Sequence, residues 1–111
     1  CLAEYLRSLP REGKRTLLLG ASSDKEPRSM LGPLAGQVDR VLTTHCSHPR
    51  AIPAGDLAQK LIDVRVPVLP AGPIEEALPL ALDGASGGDD LVIVAGSVFL
   101  AGAVRELVDA L

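Results

Sequence analysis

The sequence predicts an α/β protein: one three-layer domain over residues 1–111, with helices on both faces of a mostly parallel sheet of about four to six strands. Two observations favour this class. Short runs such as TLLLG (16–20) and LVIVA (91–95) are apolar on both faces, as in the strands of a covered parallel sheet. Segments with helical spacing of apolar residues lie between such runs, and this alternation implies right-handed crossovers.

The predicted elements follow one another regularly along the chain. They are a helix at about 2–9, a strand at 15–20, a helix from Pro27, a strand at 40–44, a helix at about 55–62, a strand at 64–69, a helix at about 73–83, a strand at 91–95 and a helix at 98–110. Pro27 suits a first helical turn, whereas Gly32-Pro33 should shorten or kink that helix. Pro67 makes the 64–69 strand an edge strand.

Two details of the helices can be tested directly. The helix at 55–62 should bury Leu57, Leu61 and Ile62. Pro79 lies inside the helix predicted at 73–83, where a proline removes a backbone hydrogen bond. The pattern gives no reason for its presence there.

The composition is that of a globular protein and excludes several classes of function. Apolar residues make up 47% of the chain and charged residues 23%, and no apolar run reaches transmembrane length. The net charge is −3, the eleven Lys and Arg are scattered, and there is one Tyr, one Phe and no Trp, which argues against nucleic-acid binding. Two cysteines cannot form a disulfide framework, so a cytoplasmic setting is expected.

The chain begins with Cys1 and passes directly into an amphipathic pattern. A mature lipoprotein also begins with a cysteine, but such a cysteine usually precedes a polar linker. A piece of a longer protein is the favoured interpretation, and the lipoprotein is the alternative.

Polar residues concentrate after the strands rather than before them. The strand ends are followed by Ser22-Ser23-Asp24-Lys25, by Thr43-Thr44-His45 leading to His48-Pro49-Arg50, and by Gly96-Ser97. The opposite edge carries ordinary turn residues such as Gly87-Gly88-Asp89-Asp90. Because ligands of open parallel sheets bind beyond the carboxyl ends of the strands, the sequence predicts a binding rim at that edge.

Gly96-Ser97 joins a strand to a helix with no intervening loop. Gly96 allows a sharp turn and close approach of a ligand, and Ser97 is placed to cap the helix. The free N–H groups of a first helical turn suit a carboxylate or a phosphate. A serine N-cap without any ligand is the alternative, and this feature alone favours it.

Other chemistries have weaker support. His45, Cys46 and His48, with Cys1 as a fourth ligand, could hold zinc, but the spacing is not a familiar zinc pattern. A nucleophilic Cys46–His48 pair lacks an orienting group. No GxxxxGK[ST] motif occurs, and the glycine-rich segment 84–88 precedes a strand, which is the wrong position for cradling phosphate.

Three segments together resemble one enzyme family. AGSVFLAGAVREL (95–107) resembles the TGSLYLVGEVR segment of folylpolyglutamate synthase/dihydrofolate synthase. LLLGASSDKEPRSMLGPLAGQVDRVLTT (17–44) resembles that family's DKD…ML loop, helix and following strand, and the segment 48–58 resembles its PRA…EELA segment. The order of the three matches is that of the family's carboxy-terminal, Rossmann-like domain, which is shared with the Mur ligases.

The resemblance implies a reaction and a site. The family activates a folate or dihydropteroate carboxylate with ATP and Mg²⁺ as an acyl phosphate and joins it to L-glutamate. In this sequence the glutamate rim would comprise Ser97, Gly96, Lys25, Asp24, Arg50 and His48. Ser97 would hold a carboxylate, Lys25 and Arg50 would add positive charge, and Asp24 would orient Lys25 or the amine.

Some features depart from the family. The DGAHNP segment, expected just before Cys1, is absent, Ser22-Ser23 replace an apolar-small pair, and Glu26 replaces the second Asp of DKD. The amino-terminal and central ATPase domains would lie in the parent protein, so this chain alone should bind neither ATP nor Mg²⁺ and should catalyse nothing.

Two other functions stay open. They are a Mur-type peptidoglycan ligase domain, which would take a different amino acid, and a non-enzymatic, flavodoxin-like binding module. We expect the full-length enzyme to be a monomer that binds no membrane, whereas the isolated domain should fold by itself and associate weakly through an exposed rim of its sheet.

Overall fold

Four apolar segments form one parallel sheet in the computed structural model, which describes residue 8 and residues 13–23, 26–46, 49–84 and 91–95. The strands are β1 (Arg15–Leu19), β2 (Arg40–His45), β3 (Val68–Pro73) and β4 (Leu91–Ala95). Their order across the sheet is β3-β2-β1-β4, and every neighbouring pair is parallel. Of the helix predicted at 2–9 only Ser8 is described, and it is helical; the helix predicted at 98–110 lies outside the described residues.

The centre of the sheet is β1, and all five of its residues are buried. Leu17 and Leu19 contact the core on one face, and Leu18 contacts the core on the other. Arg15 is also buried: its backbone N–H donates to Asp39 Oδ2 at 2.7 Å, and its Nη1 donates to the Gln37 carbonyl at 3.1 Å. The prediction that this strand is covered on both faces is confirmed.

One face of the sheet is covered by α1 (Pro27–Leu31), a 3₁₀ turn (Ala35–Gln37) and α2 (Ala54–Lys60). Glu26 caps α1, because its Oε1 accepts a hydrogen bond from the Arg28 N–H at 3.2 Å. Gly32 ends α1 after five residues, as Gly32-Pro33 predicted. The core on this face is apolar throughout and includes Leu31, Leu34, Val38, Val41, Leu57 and Leu61.

The other face is covered by α3 (Ile74–Gly84). Its buried stripe has helical spacing and packs on Leu18 and Leu42; it consists of Ile74, Ala77, Leu78 and Ala81. Pro79 interrupts the hydrogen bonding of α3 on its exposed side, where Glu75, the residue four positions earlier, is also exposed. The buried stripe therefore stays continuous despite the proline, and the three-layer fold class is confirmed.

Two predictions about this half of the chain are wrong in detail. The third strand lies at Val68–Pro73 rather than at 64–69, because the segment 61–66 turns and inserts Val66 into the core. Ile62 is 76% exposed, since α2 ends at Lys60 and only Leu61 of the following pair points inward. The edge position of β3 within the described sheet is as predicted.

The connections reverse direction at one place in the sheet. From β1 the chain crosses to β2 and then to β3, and from β3 it returns past both to β4 on the other side of β1. The reversal lies between β1 and β4, which is where open parallel sheets form ligand crevices. No helix of the described part of the chain is long and apolar enough to span a membrane.

Candidate functional site at the carboxyl edge of the sheet

The ends of β1 and β4 lie side by side at the point where the connections reverse. Leu19 is paired in register with Ala95, and the Gly20 N–H donates to the Ala95 carbonyl at 3.1 Å. The chain therefore leaves both strands at the same level of the same edge. Asp24-Lys25 follow one strand along the sequence and Gly96-Ser97 follow the other.

A short antiparallel connection joins the segment after β1 to the loop after β2. Ser22 and Ala51 form an antiparallel bridge. The Ser23 N–H donates to the Arg50 carbonyl at 2.8 Å, and the Ile52 N–H donates to the Ala21 carbonyl at 2.9 Å. This connection was not predicted, because two or three paired residues leave no periodic signal in the sequence.

This connection fixes where Arg50 lies. Its backbone is held against Ser23, which immediately precedes Asp24-Lys25 in the sequence. Arg50 is exposed at this edge, and Ser23 is exposed as well. Of the six predicted rim residues, Arg50 is described; Asp24, Lys25, His48, Gly96 and Ser97 lie outside the described residues.

The polar residues at the end of β2 bond within the domain instead. Thr43 is buried, and its Oγ1 donates to the Ala54 carbonyl at 2.7 Å. Thr44 is buried too, and its Oγ1 donates to the Gly72 carbonyl at 2.9 Å. His45 Nδ1 accepts a hydrogen bond from the Ala54 N–H at 3.0 Å. These three side chains fix the start of α2 and the end of β3.

The bond to His45 also bears on the zinc alternative. Since Nδ1 accepts from Ala54, Nε2 of a neutral ring carries the proton, so neither ring nitrogen offers a lone pair to a metal ion while this bond is kept. Cys46 is a free, buried thiol. The described ranges contain no group of three or more His, Cys, Asp or Glu side chains arranged to hold a metal ion.

A groove of about 660 Å³ opens beside the connection between the two loops. It is lined by Ser23, Glu26, Pro27, Arg28, Ile52 and Lys60. Arg28 bridges α1 to the end of α2, because its Nε donates to the Lys60 carbonyl at 3.0 Å and its Nη2 contacts Asp63 Oδ2 at 2.9 Å. The groove thus mixes both signs of charge, and its Arg28 cation already has a carboxylate partner.

Glu26 now has a structural explanation. Glu26 is the N-cap of α1, and Asp can also cap a helix. The departure from the family's DKD pattern therefore still places an acidic residue at the start of the helix. The signal was present in the sequence, because an acid directly before a proline at the first helical position is typical of a helix N-terminus.

Comparisons with solved structures identify the same family as the sequence motifs. E. coli FolC in complex with DHPP and ADP superposes with a TM-score of 0.85 at 25% identity, over 98% of this chain and 25% of that chain. The bifunctional folylpolyglutamate synthase/dihydrofolate synthase of Yersinia pestis, complexed with AMPPNP and a Mn ion, gives 0.82 at 27% identity, over 97% and 25%.

A third similar structure is the Mycobacterium tuberculosis folylpolyglutamate synthase complexed with ADP and AMPPCP. It gives a TM-score of 0.78 at 27% identity, over 95% of this chain and 26% of that chain. This chain resembles the carboxy-terminal domain of folylpolyglutamate synthase/dihydrofolate synthase. It spans about a quarter of the length of these solved relatives. No protein-family model and no curated protein matches the sequence.

Proposed function

We propose that this chain is the amino-acid-binding domain of an ATP-dependent ligase that joins L-glutamate to a folate or to dihydropteroate. The observation that carries the proposal is the match over 98% of the chain to an enzyme crystallised with DHPP and ADP. A second support is that two of the three family motifs include residues that follow β1 and β4, the strands between which the connections reverse.

The glutamate rim would be built from two sides of that crevice. Gly96 and Ser97 follow β4 and would present a hydroxyl and helix N-terminal amides to a carboxylate. Lys25 follows β1, and Arg50 is held next to Ser23 by the main chain, so both would add positive charge. Asp24 would orient Lys25 or the incoming amine, and His48 would complete the rim.

In the proposed enzyme another domain would hold ATP and Mg²⁺. Two observations are consistent with this: the described ranges contain no group of three or more His, Cys, Asp or Glu side chains that could hold a metal ion, and the loop after β1 is not a glycine-rich phosphate loop. This domain would bind the amino acid and close over the reaction, which excludes water from a carboxylate activated for attack.

The proposed setting of the full-length protein is the cytoplasm, where its two cysteines would stay reduced. Its proposed partners are small molecules: glutamate, a folate or dihydropteroate, and ATP.

The decisive experiment uses the full-length gene product. Glutamate-dependent ADP release should occur with dihydropteroate or tetrahydrofolate, and it should not occur with a nucleotide-linked muramyl acceptor. The 111-residue chain, assayed under the same conditions, should release no ADP above background. If the full-length protein is active with the muramyl acceptor and an amino acid other than glutamate, the domain is that of a Mur-type ligase instead.

Arg50 offers a test of the rim itself. Arg50→Ala in the full-length protein should raise the KM for glutamate, and it keeps the hydrogen bond from the Ser23 N–H, which uses the Arg50 carbonyl. Arg50→Lys is the matched control and should retain part of the affinity, since it keeps the charge but not the two-pronged geometry. An unchanged KM in Arg50→Ala would remove this residue from the rim.

A further inference from the structure

One side chain ties the first turn of α1 to the chain at and after the end of α2. Arg28 Nε donates to the Lys60 carbonyl at 3.0 Å, and Arg28 Nη2 donates to Asp63 Oδ2 at 2.9 Å. These bonds join residues that are 32 and 35 positions apart along the chain. Because the guanidinium group is a rigid plane, bonds from two of its nitrogens fix the direction of the side chain as well as its reach.

The helix α1 depends on such contacts for its position. It has five residues, of which Pro27 and Leu31 are buried, and a helix this short has no stability of its own. The Glu26 cap is a local bond to the Arg28 N–H, so its removal would leave the attachment to α2 in place. Among the described residues, Arg28 provides the side-chain hydrogen bonds that attach α1 to a distant part of the chain.

The segment just before α1 is held at its other end by the main chain. The Ser23 N–H donates to the Arg50 carbonyl at 2.8 Å. Two residues, Asp24 and Lys25, lie in the sequence between this bond and Glu26, the cap of α1. Since successive Cα atoms are about 3.8 Å apart, a connection of two residues between fixed ends can reach only a small volume. The position of the first turn of α1 therefore limits where this connection can run.

We infer that Arg28 is a positioning residue for the glutamate rim, a role that rests on the function proposed above. Arg28 fixes one end of the connection that carries Lys25 by attaching the first turn of α1 to the end of α2, and the main-chain bond of Ser23 fixes the other end. Displacement of a site group by about 1 Å can lower activity by about a hundredfold, even when its cause lies far from the substrate.

The same tie should contribute little to the stability of the 111-residue chain. Arg28 and Asp63 are 53% and 76% exposed, and exposed ion pairs add little to the stability of a domain. The backbone bonds of α1 remain in any side-chain variant at these two positions. Loss of the Arg28 side chain should therefore displace the start of α1 without unfolding the chain, so position and stability can be measured separately.

Amide NMR spectra of the 111-residue chain test the tie without an assay of activity. Arg28→Ala should shift the amide signals of residues 23–25, and Asp63→Ala should shift the same signals by less, since it keeps the bond to the Lys60 carbonyl. Asp63 is distant from these residues in sequence, so its effect cannot be a local one. Arg65→Ala is the matched control, because it removes an exposed arginine for whose side chain no bond is described.

Kinetics of the full-length protein test the consequence for the rim. Arg28→Ala should raise the KM for glutamate about threefold to tenfold and leave the KM for ATP unchanged. A purely structural loss would reduce the amount of folded enzyme, which lowers the apparent kcat and leaves both KM values unchanged. Arg28→Lys keeps the charge and should recover part of the loss. The double variant Arg28→Ala/Asp63→Ala should resemble Arg28→Ala alone, because both changes break one connection.

The outcomes separate this inference from the proposed function. If the unmodified full-length protein does not use glutamate, the proposed function is wrong and the role of Arg28 in the rim is wrong with it. If that protein uses glutamate but Arg28→Ala keeps the unmodified KM, or leaves the amide signals of residues 23–25 in place, the inference alone is overturned. If Arg28→Ala fails to fold, Asp63→Ala decides the result by the same two measurements.

Discussion

The polar residues at the end of β2 and those that follow β1 look alike in the sequence but have different roles in the structure. At the end of β2, the side chains of Thr43, Thr44 and His45 bond to backbone atoms inside the domain. After β1, the hydrogen bond described for Ser23 joins main-chain atoms, since its N–H donates to the Arg50 carbonyl. The side chains at the end of β2 therefore stabilise the fold. The segment after β1 is held by the fold through its main chain and has an exposed side chain at Ser23.

The comparison explains why only one group of polar residues suits a ligand rim. A buried hydroxyl bonded to a carbonyl cannot be given up without leaving a polar atom unpaired. An exposed side chain on a segment held by its backbone can change its contacts at little cost to stability. Substitutions of Thr43, Thr44 and His45 should therefore alter stability, and substitutions at the rim should alter kinetics.

The largest expected effect is at Ser97, which lies outside the described residues. Ser97→Ala in the full-length enzyme should lower kcat/KM for glutamate by about one to two orders of magnitude, because a hydrogen bond to a charged group is worth roughly 1.5–3 kcal/mol. The KM for ATP should stay the same, and loss of a helix cap should cost about 1 kcal/mol of stability. Ser97→Thr keeps the hydroxyl and serves as the control. Wild-type glutamate kinetics with a lower melting temperature would make Ser97 a helix cap only.

Thr43 should show the opposite behaviour. Thr43→Val keeps the shape of the side chain but leaves the Ala54 carbonyl without its donor, so the free energy of unfolding should fall by about 1–3 kcal/mol. Urea unfolding of the 111-residue chain measures this change. Ser23→Ala, at an exposed site held by its backbone, should stay within about 0.5 kcal/mol of the unmodified chain. Equal losses in the two variants would erase the distinction between the segments.

His45 should have a smaller effect of the same kind. His45→Ala leaves the Ala54 N–H without its acceptor and should lower the free energy of unfolding by about 1 kcal/mol. His45→Asn supplies an oxygen acceptor in nearly the same place and should recover most of the loss. If both variants unfold like the unmodified chain, the bond to Nδ1 contributes nothing and His45 returns to the set of candidate ligands.

The smallest expected effect is at Glu26, which lies in the segment after β1 and caps α1. Glu26→Ala removes the side-chain cap of α1 and should lower the free energy of unfolding by about 0.5–1 kcal/mol, with no change in the KM for glutamate. Glu26→Asp, which restores the family's residue, should be at least as stable as the unmodified chain. A rise in the glutamate KM of Glu26→Ala would extend the rim to this residue.

Much of the architecture could be predicted because its signals are local and periodic. The doubly apolar runs at 15–20 and 91–95 identified β1 and β4, and Gly32-Pro33 predicted the end of α1. The third strand was misplaced because Val64, Val66 and Val68 alternate in the same way, and only packing decides which of them belongs to the sheet. Local patterns also identified the family that the chain resembles, because the three motifs occur here in the same order as in that family.

By itself, the sequence determined the fold class, the edge of the sheet that carries polar residues, and the family that the chain resembles. These follow from hydrophobic periodicity, strand–helix alternation and the order of motifs, which all act over short distances along the chain. Only the tertiary structure decided that Thr43, Thr44 and His45 bond inside the domain and that Arg50 lies against Ser23. Each of these depends on atoms that are distant in sequence, and a hydrogen bond between such atoms leaves no repeating pattern in the residues that make it.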